Sequence, residues 1–206
     1  LAEYYKGLGV DLDKCKGSVG YDAFKKPLLR GKGNDNWVEQ ASAVLKAGAA
    51  LPKYKVLAVN AYYFNDAGAY ISQELGYALA WGNELLAKLT EAGFDATEVA
   101  KNIKFNFGIS SNYFMEIAKF RAARWLWAEI LKAYGCAEEL AKIAVHAETS
   151  VFNKTIFDAH VNLLRTQTEA MSAALGGVDS LTVNPFDITY KKADDFSERI
   201  ARNQQL

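Results

Sequence analysis

Apolar residues in this chain follow two rhythms in turn. In IKFNFGIS (103–110), Ile103, Phe105, Phe107 and Ile109 fall on one face and Lys104, Asn106 and Gly108 on the other, the period of two that a strand requires. Four more runs read as strands: 17–22, YKVLAVNAYYF (54–64), KIAVHAETS (142–150) and DSLTVNPF (179–186). Helical spacing fills the intervals. A helix begins at Asn36, where Asn36 and Glu39 make a capping pair. A long one runs from Asp66 to about Ala92 and stops at Gly93. A short one opens with Asp95 and Glu98. A strong one, at about 112–134, closes at Gly135, and the last runs to about Leu175 before Gly176 and Gly177. In the strong helix Phe114, Ile117, Leu126 and Ile130 recur at helical spacing, which predicts that this face packs on a sheet.

Strand and helix alternate at roughly 40-residue intervals, the pattern of a parallel α/β sheet. No linker or low-complexity stretch interrupts it, so residues 1–206 read as a single domain. Five strands suit a doubly wound sheet or part of a (βα)8 barrel, which needs about 250 residues when complete. Polar residues gather towards the strand C-termini: Asn60 and Tyr62 after one run, His146 and Glu148 in another. That is the end at which such folds place their sites.

Composition narrows the function classes. Half of the 206 residues are hydrophobic, enough for a substantial core. The 24 Lys and Arg balance the 24 Asp and Glu, which argues against nucleic-acid or anionic-membrane partners. Cys15 and Cys136 stand apart with no CxxC, and no apolar run reaches the roughly 18 residues of a membrane span, so a reduced, cytoplasmic setting is expected. The opening LAEYYKGLGVDL has neither an initiator Met nor a signal-peptide layout, and the chain is expected to be a piece of something longer.

The candidate chemistry centres on AVHAETSVF. His146 and Glu148 are two apart and share a face of any strand, as an acid/base pair, a hydrogen-bonding pair or a packed core histidine would. The HxE spacing matches part of the zinc deaminase pattern, but its PCxxC partner is absent, as is HExxH. With two histidines in the chain, no metal is expected. RGKGND (30–35) lacks phosphate-loop spacing and reads as a βα loop in which Arg30 is a cation suited to an anionic substrate. DAHVNL (158–163) matches the start of DxHxxG, a cobalamin-binding signature, but Leu163 replaces the glycine and the stretch lies in a helical pattern, so the match reads as coincidence.

Longer segments carry a resemblance. NYFMEIAKFRAARWLWAEI, NLLRTQTEAMSAALGGVDSLTVNPFD and FSERIARNQQL closely resemble the coenzyme B12-dependent methylmalonyl-CoA mutases, and the match runs nearly end to end. The resemblance implies the later part of a TIM-type (βα)8 barrel, about five of eight strands, without the family's flavodoxin-like cobalamin domain. Its substrate-binding positions are retained at Arg30, Tyr62 and His146. Others are altered. GSVGYD has Gly20 where active chains have glutamine, NAYYFNDAGA has Tyr63 for a histidine, and HAETSVF has Glu148 for a glutamine. Val151 and Phe152 replace a glycine-tryptophan, and Ile188 and Thr189 replace a Glu-Ala pair that meets cobalamin.

These changes make the chain most like the family's small, non-catalytic subunit. The resemblance then implies no catalytic residue and no cofactor in this chain, with adenosylcobalamin held by a large-subunit partner. The alternative is an active or divergent acyl-CoA mutase barrel using Arg30, Tyr62 and His146. A partial barrel also leaves sheet edges open, so self-association is expected.

Overall fold

The computed structural model describes residues 1–137 and 142–206. In chain order these form α1 (Ala2–Gly7), β1 (Gly17–Tyr21), α2 (Lys25–Arg30), α3 (Trp37–Gly48), β2 (Tyr54–Asn60), α4 (Tyr62–Asp66), α5 (Ile71–Glu91) and α6 (Ala96–Asn102). They continue as β3 (Ile103–Ile109), α7 (Tyr113–Ala133), β4 (Ala144–Thr149), α8 (Asn162–Gly176), β5 (Ser180–Thr182) and α9 (Asp195–Asn203). The strands form one sheet in the order β1-β2-β3-β4-β5, each beside its neighbour in sequence, and β1 with β2 and β4 with β5 pair in parallel. Consecutive parallel strands joined through helices are the βα pattern of a TIM-type barrel and give the α/β class expected. By contacts the chain divides into two compact units, one of Leu1–Val59, Trp81–Lys104 and Ala128–Ile143, the other of Asn60–Ala80, Phe105–Trp127 and Ala144–Leu206.

In the first unit β1 lies parallel to β2, with Gly17 opposite Tyr54 and a register shift before Tyr21 opposes Leu57. The strands approach so closely that a Cβ on Gly20 would sit 2.6 Å from the Ala58 Cβ. Phe24 packs between Trp37 and Trp81, at centroid distances of 5.2 and 5.4 Å. The Asp95 carboxylate caps α6 by accepting from Glu98 N at 3.0 Å, as its spacing predicts. Asn36 does not cap α3. Its side chain instead accepts from Gln40 Nε2 at 2.7 Å. RGKGND is not a βα loop either: Arg30 ends α2, and Gly31, at φ +60°, turns the chain towards α3.

The second unit is built on the β3 pleat. Phe105 and Phe107 are fully buried, each contributing about 2–3 kcal/mol by transfer from water. Trp127 meets Phe105 edge-on at 4.8 Å and Phe120 meets Phe107 at 6.1 Å. The strand predicted over 54–64 stops at Asn60, and 62–66 is the short helix α4. A turn at Gly68, with φ +87°, then separates α4 from α5, which starts at Ile71 rather than Asp66.

The largest correction concerns α7. Phe114 is 79% exposed and Leu126 38%, while Ile117 and Ile130 are half-buried. The buried stripe is Glu116, Lys119, Phe120, Ala123, Trp127 and Leu131, also at helical spacing. Two charged residues occupy the inner face, so a hydrophobicity pattern points to the wrong side. DAHVNL only partly follows the helical pattern: Asp158 has φ +47°, 159–161 form a 3₁₀ turn, and Asn162 and Leu163 open α8.

Candidate functional site

In the second unit the polar face of the sheet carries the residues singled out from sequence. The burial of β4 alternates, with Val145, Ala147 and Thr149 inward and His146 and Glu148 half-buried on the other face, as period two demands. Parallel pairing sets His146 opposite Ser180 and Glu148 opposite Thr182. His146 Nδ1 lies 2.8 Å from Ser180 Oγ, and Nε2 lies 3.3 Å from Thr182 Oγ1. Both ring nitrogens are therefore held by hydroxyls. Glu148 Oε1 accepts from Asn184 Nδ2 at 3.0 Å. The same amide donates to Thr149 O, and Asn184 N donates to Thr149 Oγ1. On the neighbouring strands Asn106 Nδ2 donates to Asn60 Oδ1 at 2.6 Å.

Tyr62 and Tyr63 open α4 and meet edge-to-face at 4.6 Å, both half-buried. Three residues on, Asp66 Oδ1 accepts from Val151 N at 2.9 Å. Burial raises the Asp66 pKa above the ordinary carboxylate range, against the backbone donors and nearby Lys154 that lower it. Phe152 lies against the Gly68 turn, its ring 2.8 Å from where a Cβ there would sit. Ile188 is partly exposed, and Thr189 buries its hydroxyl oxygen without a hydrogen-bond partner. Gly20 and Arg30 belong to the first unit. Gly20 has no room for a side chain against Ala58, and Arg30 is exposed at the end of α2. The second unit thus gathers Tyr62, Tyr63, His146, Glu148, Val151, Ile188 and Thr189.

Behind this face lies a buried ionic cluster that sequence reasoning missed. Lys119 Nζ sits 2.6 Å from Glu74 Oε2 and 2.5 Å from Glu116 Oε2, with all three side chains out of water. It also donates to Gly108 O at 2.7 Å, while Glu74 Oε1 accepts from Gly108 N at 2.7 Å. Ser110 donates to Glu116 Oε1 through both its N–H and its hydroxyl. The cluster therefore pins the C-terminal end of β3. Burial alone would lower the Lys119 pKa, but the two carboxylates outweigh it and the net shift is upward. Glu74 is raised by burial despite Lys119. A second pair, Lys154 and Glu169, lies 3.2 Å apart at zero side-chain exposure. Only the i,i+3 spacing of Glu116 and Lys119 left any trace in the sequence. Among the described residues no group of His, Cys, Asp and Glu is placed to hold a metal ion. No described helix is long and apolar enough to cross a membrane.

Comparison with known proteins gives these positions their context. Residues 2–206 match the family described as Methylmalonyl-CoA mutase. The methylmalonyl-CoA mutase small subunit of Porphyromonas gingivalis is 65% identical over 208 residues, covering 100% of this chain and 34% of that protein. The small subunit of Streptomyces virginiae is 35% identical, covering 98% of this chain and 33% of its own length. The large subunit of Porphyromonas gingivalis is 40% identical over 157 residues, covering 76% of this chain and 22% of that protein. This chain spans about a third of the length of the small subunits it matches. The chain belongs to the methylmalonyl-CoA mutase family.

Proposed function

We propose that this chain is part of a methylmalonyl-CoA mutase small subunit that does no chemistry itself and pairs with a catalytic large subunit. The assembled enzyme interconverts methylmalonyl-CoA and succinyl-CoA by an adenosylcobalamin radical route. The observation that carries this reading is the contrast within one organism: 65% identity to the small subunit across the whole chain, against 40% to the large subunit over 76% of it.

The physical chemistry of the altered positions supports it. A radical rearrangement asks the protein for binding, orientation and exclusion of side reactions. Tyr63 puts a bulkier phenol where the resemblance expects a histidine donor. Glu148 sets a carboxylate near the place of an anionic substrate, an unfavourable pairing at low effective dielectric, and it is engaged with Asn184. Gly20 cannot give way to glutamine without moving β1 from Ala58. The residues at the cofactor positions do not fit cobalamin. Val151 replaces a glycine and has its N–H committed to Asp66, Phe152 is seated on Gly68, and Ile188 and Thr189 replace the Glu-Ala pair.

The test assays adenosylcobalamin-dependent conversion of methylmalonyl-CoA by the full-length chain, alone and with its large subunit, with a cobalamin spectral titration of the chain alone. No turnover and no spectral shift are expected from the chain alone. Turnover by it would favour the rival reading, an active barrel working through Arg30, Tyr62 and His146.

A further inference from the structure

Helix α8 turns an uncharged side outward. Its exposed residues are Leu164, Gln167, Thr168, Met171, Ala174 and Leu175. In the same unit α9 exposes Asp195, Glu198, Arg199 and Arg202, the charged outer face usual for a helix at the surface. Leu164, Thr168, Met171 and Leu175 follow one another at steps of four, three and four, the spacing of a seam that packs on another helix. The Thr168 hydroxyl bonds to the Leu164 and Arg165 carbonyls, so its polar group is satisfied within α8.

Helix α7 extends this face. Arg124 Nη1 donates to Gly176 O at 2.8 Å and Nη2 to Gly177 O, and a Cβ on Gly176 would sit 2.7 Å from the Phe120 ring, so α7 packs beside α8. Phe114 and Trp125 are eleven residues apart, three helical turns, and so lie on one side of α7. They are 79% and 69% exposed, and Leu164, Met171 and Leu175 are 70%, 52% and 54% exposed. At about 200 Å² for a fully accessible large side chain, these five leave roughly 600 Å² of apolar surface in water. That is the upper end for the largest patch of a typical monomer, about 300–600 Å², and most of the roughly 800 Å² per partner that a stable pair buries. Depletion of charge with Trp, Phe and Met present is also the composition of an interface core.

Charge at the border bears on the occupant. Among the charged residues of α7 and α8 that reach water, Arg121, Lys132 and Arg165 outweigh Glu129, Arg124 being engaged by the Gly176 and Gly177 carbonyls. Glu116, Lys119 and Glu169 are buried. Two identical copies meeting here would each bring this positive balance, so a partner with an acidic border is favoured over a second copy.

We propose, resting on the pairing with a large subunit argued above, that the outer face of α7 and α8 is where that subunit docks. It lays an uncharged helix face with an acidic border against Trp125, Leu164, Met171 and Leu175.

Hydroxyl-radical footprinting of the full-length chain, alone and paired with its large subunit, tests this without any substitution. Trp125 and Met171 are expected to react in the chain alone and about tenfold less in the pair. Met171→Glu and Trp125→Glu replace exposed residues with a good helix former, so an unchanged Tm is expected of both. Each should weaken pairing at least about tenfold, and the two together should abolish co-purification. Arg121→Glu should weaken pairing too, while Arg199→Glu, the same charge change on α9, should leave it within about twofold. Pairing that leaves Trp125 and Met171 reactive, or that survives the double substitution, would overturn the docking surface while the pairing itself stands. Shielding of both residues in the chain alone, or a self-dimer that the double substitution dissolves, would overturn it by giving the face another occupant. Failure of the unsubstituted chains to associate at all would overturn the pairing and the surface together.

Discussion

Lys119 ties three elements of the second unit together, holding Glu74 of α5, Glu116 of α7 and Gly108 of β3. Replacing it with methionine leaves Glu74 and Glu116 out of water without their shared cation and removes one donor to the Gly108 carbonyl. Breaking a buried pair in this way costs about 3–5 kcal/mol, so Lys119→Met should lose that much in urea denaturation. Glu169 acts oppositely with pH. Its folded-state pKa is raised to about 7 from 4.5, so its contribution to stability is complete below 4.5 and is lost as pH rises through 7. Glu169→Gln should accordingly flatten the decline in Tm between pH 5 and 8, measured by thermal unfolding. The sequence showed that His146 and Glu148 share a face, because strand period alone decides it. It did not show that Ser180, Thr182 and Asn184 hold them, because those contacts depend on how β5 registers against β4.

Among elements, β3 and α7 mark the limits of pattern reading. The four apolar residues expected on one face of β3 are all buried, since no charged residue of the strand itself falls on that face. In α7 the same logic failed because Glu116 and Lys119 neutralise each other inside while Phe114 and Trp125 lie outside. Trp125→Lys should therefore change stability by less than about 0.5 kcal/mol, whereas Trp127→Ala should cost about 3–5 kcal/mol; chemical denaturation of the two separates them. Helix α9 went unassigned from sequence, although Asp194 and Ser197 cap it reciprocally. A serine in the third position falls outside the Glu or Gln pattern that marks such boxes.

For the whole molecule, the α/β class was legible from the alternation of strands and helices, whereas the order in which each strand pairs with its neighbour in sequence was not, because the same alternation suits a doubly wound sheet as well as a barrel. The chain's place within its family came from long matched segments rather than from any catalytic motif. β1 and β5 end the sheet, and β1 is nearly all exposed, with Val19 57% exposed. Unpaired strand edges tend to find partners. Residues 1–206 alone are therefore expected to form dimers or larger assemblies, checked by light scattering across a dilution series; a monomer at every concentration would contradict this.

The central proposal is a partner that does no chemistry. The measurement that tests it most directly is methylmalonyl-CoA turnover, with adenosylcobalamin, by the full-length chain after purification with and without the large subunit. We predict co-purification of the two chains, turnover in the pair and none in this chain alone. Turnover by this chain alone, or its failure to co-purify with the large subunit, would contradict the account.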